Sequence, residues 1–329
     1  GAPLLSPAGG DYDADHCGSR EAAPDPVWGQ PAAPPHTQPA PPGRDVAPAT
    51  ATDASADTQP ADTEAAGDSG AAPSTEPPLD ESCANTIEGG VLTIATGEPA
   101  FFPWVIDDAP ESGEGFEADV AYAVAREMGY AEDAVQWVRT TFDEAIQPGA
   151  KSFDFNLQQY SITEERSENI DFSLPYFTSN QAIVALDGSA AEGATTIADL
   201  EDVKFGAQAG TTSLEFITEV IQPSQEPFVY DDNTGAKAAL EANQIDAAVF
   251  DLPTALFVSA VEIEGSSVTG QFSPDAGGTT DDFGLVLEQD NPLLTCVDAA
   301  ITTITDSGEL EALTAEWLSD NTGAPFISE

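Results

Sequence analysis

Six cationic side chains follow residue 80, against 46 carboxylates in the same span. One of the six, Arg166, stands directly after a hydroxyl-rich turn in Tyr160–Ser167, YSITEERS. A guanidinium fork grips planar oxyanions through paired N–H donors, and the free backbone N–H groups of a helix start favour the same charge. The pattern predicts a strand end passing into a short helix, with Ser161 or Thr163 as N-cap and Glu164 or Glu165 in the first turn. Such a stretch can hold a carboxylate or similar anion; the plainer alternative is a helix-surface arginine paired with an acid. A second anion cradle is available at Gly210-Thr211-Thr212-Ser213, where glycine permits close backbone approach and Thr212 or Ser213 can cap a helix from Leu214. Asp251 ends the apolar run 246–251, DAAVFD, and projects from the carboxyl end of a predicted strand. It can meet an ammonium group or cap the turn at Pro253. Phe101, Phe102, Trp104 and Phe142 follow the first two predicted strands and can either sandwich an apolar or cationic group or fill the core.

The residues that are missing exclude other chemistry. Both histidines, His16 and His36, precede residue 80, so the remainder cannot assemble a Ser-His-Asp or Cys-His arrangement or a His/Cys zinc site. It also lacks a phosphate loop ending in Lys-Ser or Lys-Thr and a GxGxxG after a strand. Paired carboxylates remain the one catalytic route, and with so many acids their proximity carries little information. No catalytic residue, metal or cofactor is therefore expected. A formal charge of -51 rules out nucleic acid as a partner, opposes an anionic membrane surface, and suits a salty exterior that screens self-repulsion.

The elements that must position these residues begin after a long preamble. Residues 1–80, rich in Ala, Pro, Thr and Asp, show no helical or strand period and read as a disordered tail or linker. As a flexible coil this tail has a reach on the order of 50 Å; it carries Cys17, His16, His36 and Trp28. Beyond it, strand signals at 91–95, 135–138, 154–158, 203–207, 247–250 and 284–287 alternate with helical signals at 118–128, 142–146, 213–220 and 236–242. One long helix is predicted over 292–318. This rhythm predicts α/β lobes with parallel-rich sheets, whose ligands sit beyond strand carboxyl ends. No apolar run approaches 18 residues, so no bilayer span is expected. The sequence opens at Gly1 without a leader, which implies that a signal was removed or that the sequence starts within a longer chain. Cys83 precedes the first strand and Cys296 lies in the last helix. A bridge between them would tie the two ends of the folded body, worth roughly 4–5 kcal/mol in the chain-entropy model; two unrelated buried thiols are the alternative.

Six ordered blocks carry a wider likeness: LTIATGEPAFFPW (92–104), GEGFEADVAYAVAREMG (113–129), FDFNLQQYSITEERSENIDFSLPYF (153–177), FGAQAGTTS (205–213), ALEANQIDAAVFD (239–251) and DSGELEALTAEWL (306–318). On these blocks, residues from about 82 to 329 resemble the type II periplasmic-type solute-binding proteins of ABC importers, solute-binding family 3, in the branch that binds polar amino acids. The resemblance implies two α/β lobes joined by crossing strands near 176–180 and 279–284, with lobe 1 at about 82–178 plus 285–329 and lobe 2 at about 181–280. It implies an extracytoplasmic monomer, anchored through a region outside this sequence or free, that delivers an amino acid to permease and ATPase subunits. Carried over by position, Arg166 takes the ligand α-carboxylate with Ser161, Thr211 and Thr212, and Asp251 takes the α-ammonium. Glu98 and Phe101 meet the side chain and Phe142 packs over it; Trp104 is expected in the same wall from its place among the loop aromatics. The sequence departs from the family at Gln159, where many relatives have glycine, and at Gln208, where some have lysine. Glu98 with the aromatics suits a cationic side chain; Gln158, Gln159 and Gln208 suit an amide. A compatible solute such as ectoine and a dehydratase-like enzyme on the same fold are the competing readings.

Overall fold

The computed structural model describes residues 81–272, 280–318 and 324–328. Residues 1–80, with Cys17, His16, His36 and Trp28, lie outside the described residues, as does Thr279.

In the first lobe, β1 (Leu92–Gly97) is buried along its whole length and pairs in parallel with β2 (Val135–Thr140). Between them, α1 (Phe116–Glu127) repeats apolar residues at helical spacing, so Phe116, Val120, Ala121 and Val124 face the sheet and are fully buried. The helix stops where Gly129 takes φ 89°. A capping box at Thr141 and Glu144 starts α2 (Phe142–Ile146). β3 (Phe155–Asn156), the central strand of its sheet beside β1, keeps only two residues of the five predicted, because the chain then leaves the sheet for the turn at 158–161. α3 (Glu164–Ser167) is capped by Thr163, and β4 (Ile170–Ser179) follows it.

The second lobe opens with β5 (Gln181–Leu186), one residue after β4 ends. It continues through β6 (Phe205–Gln208), α4 (Thr212–Phe216, extended by a π-helical turn to Ile221), β7 (Phe228–Tyr230), α5 (Asn233–Glu241), β8 (Ala247–Asp251), α6 (Leu252–Phe257) and β9 (Ser266–Gln271). The chain re-enters the first sheet as β10 (Asp281–Glu288). The two sheets have orders β2-β1-β3-β10-β4 and β7-β6-β8-β5-β9, the same plan twice: three parallel strands, then an antiparallel strand arriving from the crossing.

The crossing strands are tied to one another. Asp281 pairs with Ser179, Gln181 Nε2 donates to Asp281 Oδ2 at 2.5 Å, and Asn180 Nδ2 donates to Gln271 Oε1 at 3.0 Å. The expected long helix over 292–318 divides into α7 (Leu294–Asp306) and α8 (Glu309–Trp317), because Gly308 takes φ 79° and ends the first helix in a left-handed turn. Residues 324–328 do not follow the predicted first-lobe assignment. Ile327 packs into the second lobe's core, and Ser328 and Phe326 bridge to Thr196 and Gln271. The Cys83 and Cys296 sulfurs lie at bonding distance, with Cα atoms 5.3 Å apart.

Candidate functional site

The cleft between the lobes is lined at one end by Ser161, Arg166, Thr211 and Thr212. Each side chain is placed by a helix start. Thr163 Oγ1 accepts from Arg166 N at 3.2 Å and so caps α3, which leaves Ser161 free to face the second lobe. Its Oγ lies 3.2 Å from Thr212 Oγ1. Thr211, rather than the predicted Thr212 or Ser213, caps α4 by accepting from Leu214 N at 3.2 Å. That choice frees the Thr212 hydroxyl for the cleft, while Ser213 Oγ donates to Gln181 Oε1 at 2.7 Å. Gly210 takes φ 68°, and a Cβ there would stand 2.8 Å from Asp143 Oδ1. Glycine is thus favoured by the backbone conformation, while the approach of the first lobe is through the movable Asp143 carboxylate.

Arg166 is 8% exposed. Its Nη1 donates to Ser161 O and its Nη2 to Gly210 O, both at 2.8 Å, so one guanidinium touches both lobes. The carbon of the guanidinium lies 5.5 Å from the Phe142 ring centroid, and Phe142 stacks in turn on Tyr160 with centroids 4.6 Å apart. Among the described residues the ion pairs involve Arg126, Arg139 and Lys237; Arg166 belongs to none of them. The surface-arginine alternative therefore does not describe it. Burial lowers its pKa from the ordinary value, opposed by the more distant charges of Glu215, Tyr160 and Asp281.

At the other end, Asp251 fills the capping role that the sequence allowed and also faces the cleft. Its Oδ1 accepts from Thr254 N at 2.9 Å and caps α6, while the side chain also lines the cleft. Burial pushes its pKa up to about 6, with the Thr254 hydrogen bonds pulling the other way.

Of the residues expected to meet a ligand side chain, Phe101, Phe142, Gln159 and Gln208 line the cleft, joined by Gln158. Trp104 does not. It is fully buried in the first lobe, edge-on to Phe116, Phe177 and Phe283, with its indole N–H donating to Thr254 Oγ1 across the interlobe contact at 2.9 Å. Beyond β1 the chain turns within the 101–104 segment, where Trp104 N and Val105 N both donate to Phe101 O, and the large ring packs against Phe116 of α1 instead of over the cleft. Glu98 is exposed and stands outside the lining.

Sequence reasoning missed Gln181, Asn233, Phe250 and Phe283 in the lining, and a buried partner behind it. Gln159 takes φ 49°, the left-handed backbone that favours the glycine expected there. Glu117, on the first turn of α1, accepts from Gln159 N at 2.8 Å and from Gln159 Nε2 at 2.5 Å, and also from the Tyr176 hydroxyl. These bonds offset the backbone cost and fix the amide. Desolvation drives the Glu117 pKa to about 7 against those bonds. The only signal that could have found it is a carboxylate at the start of an otherwise apolar helix face.

Two α/β lobes around a polar cleft, joined by paired crossing strands, define a bilobed ligand receptor. The chain belongs to the bacterial extracellular solute-binding proteins, family 3, whose model matches residues 92–320. The family is one of binding proteins, not enzymes. Among similar proteins are a probable histidine-binding protein of Campylobacter jejuni, 35% identical over 143 residues that cover 43% of this chain and 53% of that relative, and the L-cystine-binding protein TcyJ of Escherichia coli, 28% identical over 242 residues covering 72% and 86%. The chain thus spans about half of the first relative and most of the second. A solved ancestral arginine-binding protein bound to glutamine superposes with a TM-score of 0.59 at 27% identity, covering 70% of this chain and 98% of that one. Among the described residues no helix is long and apolar enough to cross a membrane, and no cluster of three metal-ligating side chains occurs.

Proposed function

We propose that this protein captures a free amino acid outside the cytoplasm and delivers it, by hinge closure, to the permease and ATPase subunits of an ABC importer. The observation that carries the reading is Arg166: a buried guanidinium lining a cleft, with no carboxylate paired to it among the described residues. A desolvated charge without a counter-ion is costly. A ligand carboxylate supplies the counter-ion, with the Ser161 and Thr212 hydroxyls and the backbone of Thr211 and Thr212 as further donors. Asp251 then takes the α-ammonium, whose positive charge favours the ionised form that burial opposes.

Because Ser161 and Arg166 belong to the first lobe and Thr211, Thr212 and Asp251 to the second, a ligand that touches all of them stabilises closure by as much as it prefers the closed state. Micromolar affinity needs about 8 kcal/mol, within reach of a charge-assisted contact at each end plus ring burial after ordering costs. The Cys83–Cys296 bridge fits an oxidising exterior.

A thermal-shift screen of the twenty amino acids, cystine and compatible solutes, repeated on Arg166→Ala, tests the reading. One or more amino acids should raise the melting temperature of the parent and leave the variant unmoved. Equal stabilisation of both proteins removes the carboxylate clamp.

A further inference from the structure

Phe101, which lines the cleft from the first lobe, carries a cation on its ring. Lys237 Nζ, from α5 of the second lobe, lies 4.6 Å from the ring centroid and pairs with Glu262 at 2.9 Å, while Lys237 itself is not part of the cleft lining. An aromatic ring attracts cations through the negative potential of its faces. With one face already held by an ammonium, a second cation stacked on the cleft side meets a ring polarised away from it, and stands no more than about 10 Å from a like charge. Glu262 softens that field without cancelling it, since the pair is a dipole with its positive end at the ring.

The rest of the lining agrees. Among the described residues Asp251 is its only carboxylate, and the amino-acid reading assigns that group to the α-ammonium. Glu98, the acid that could balance a cationic side chain, is exposed and outside the lining. In its place stand the carboxamides of Gln158, Gln159, Gln208 and Asn233, the last one turn before Lys237 on the same helix. Gln159 gives its N–H to Glu117, which leaves its carbonyl oxygen as an acceptor.

We infer that Lys237 is a specificity-determining residue acting through Phe101, and that the cleft selects an amino acid with a neutral hydrogen-bonding side chain of the carboxamide class over a cationic one. This rests on the amino-acid reading of the same cleft. Lys237 also joins the two lobes, so a closure latch predicts a different pattern: loss of affinity for every ligand alike.

Calorimetric titration of the full chain with L-glutamine, L-arginine and L-glutamate, on the parent, Lys237→Met and Lys237→Arg, separates the cases. The parent should bind glutamine about tenfold or more tighter than arginine or glutamate. Lys237→Met should strengthen arginine about fivefold and change glutamine less than twofold, and Lys237→Arg should restore the parent ratio. A parent that binds arginine as tightly as glutamine, or a Lys237→Met that shifts both by the same factor, overturns the proposal. Failure of all three to bind overturns the amino-acid reading itself and the proposal with it, a result distinct from binding with the wrong preference.

Discussion

At the Arg166 end of the cleft, groups from both lobes converge on one guanidinium: Ser161 O and Gly210 O accept from it, and the Ser161 and Thr212 hydroxyls meet beside it. The aromatic stretch 101–104 does the opposite and sends each ring to a different partner. Phe101 lines the cleft under Lys237, Phe102 stacks on Phe257 of the second lobe with centroids 3.9 Å apart, and Trp104 is buried with its N–H on Thr254. The first region keeps polar capacity unspent and so is suited to a ligand. The second spends nearly all of its capacity on protein contacts, three of them across the lobes, and so fixes how the lobes meet. A ligand site and a closure surface thus share Phe101 but respond differently to change.

The difference breaks most visibly at Trp104. Trp104→Ala removes a fully buried ring and an interlobe hydrogen bond, and should destabilise the protein by about 3–5 kcal/mol in denaturant titration. Any fall in affinity should then be recovered where the variant is still folded at low temperature. An Arg166→Ala variant should behave in the reverse manner, losing its ligand while its melting temperature falls far less than that of Trp104→Ala, because the change strands no buried counter-ion and gives up only the two bonds to Ser161 O and Gly210 O.

A smaller effect follows from pH. The pKa of Asp251 is raised to about 6, chiefly by burial, so below that value a ligand ammonium must compete with a proton. Affinity should be about tenfold weaker at pH 5 than at pH 7, and the dependence should flatten in Asp251→Asn. The stability of the ligand-free protein runs the other way. Asp251 and Glu117, the latter at about 7, hold protons in the folded state that the unfolded chain has released. Their contribution to stability is therefore greatest at the acid end and is lost as pH rises from about 4 to 7. Melting and binding measured across the same buffers should diverge; parallel curves would show that Asp251 does not serve the ammonium.

The comparison also shows where the sequence could be read and where it could not. Arg166 was legible because a lone cation after a hydroxyl-rich turn has few roles, and its helix start is local in sequence. The apolar spacing of α1 and the alternation of strand and helix marked the two lobes in the same way. Trp104 was not legible, because a ring on a loop after a strand can turn toward the cleft or beneath a helix with no local difference in composition. Glu117 was hidden among 46 acids, and nothing near Gln159 in sequence announces the partner that supports its backbone. Lys237 lies 136 positions from Phe101, and only the packing of α5 against the first lobe brings them together. Helix capping was local enough to be expected, yet which of Thr211, Thr212 and Ser213 caps α4 depends on what the other two meet in the opposite lobe.

The central claim is that Arg166 binds the α-carboxylate of an amino acid. The most direct measurement is a double cycle: titrate the best amino acid of the screen and its α-methyl ester against the parent and Arg166→Ala. Neutralising the carboxylate should weaken binding to the parent by about a hundredfold, since a desolvated charged pair of this kind is worth roughly 2–5 kcal/mol, and should weaken binding to the variant little further. An ester that costs the same in both proteins would contradict the account.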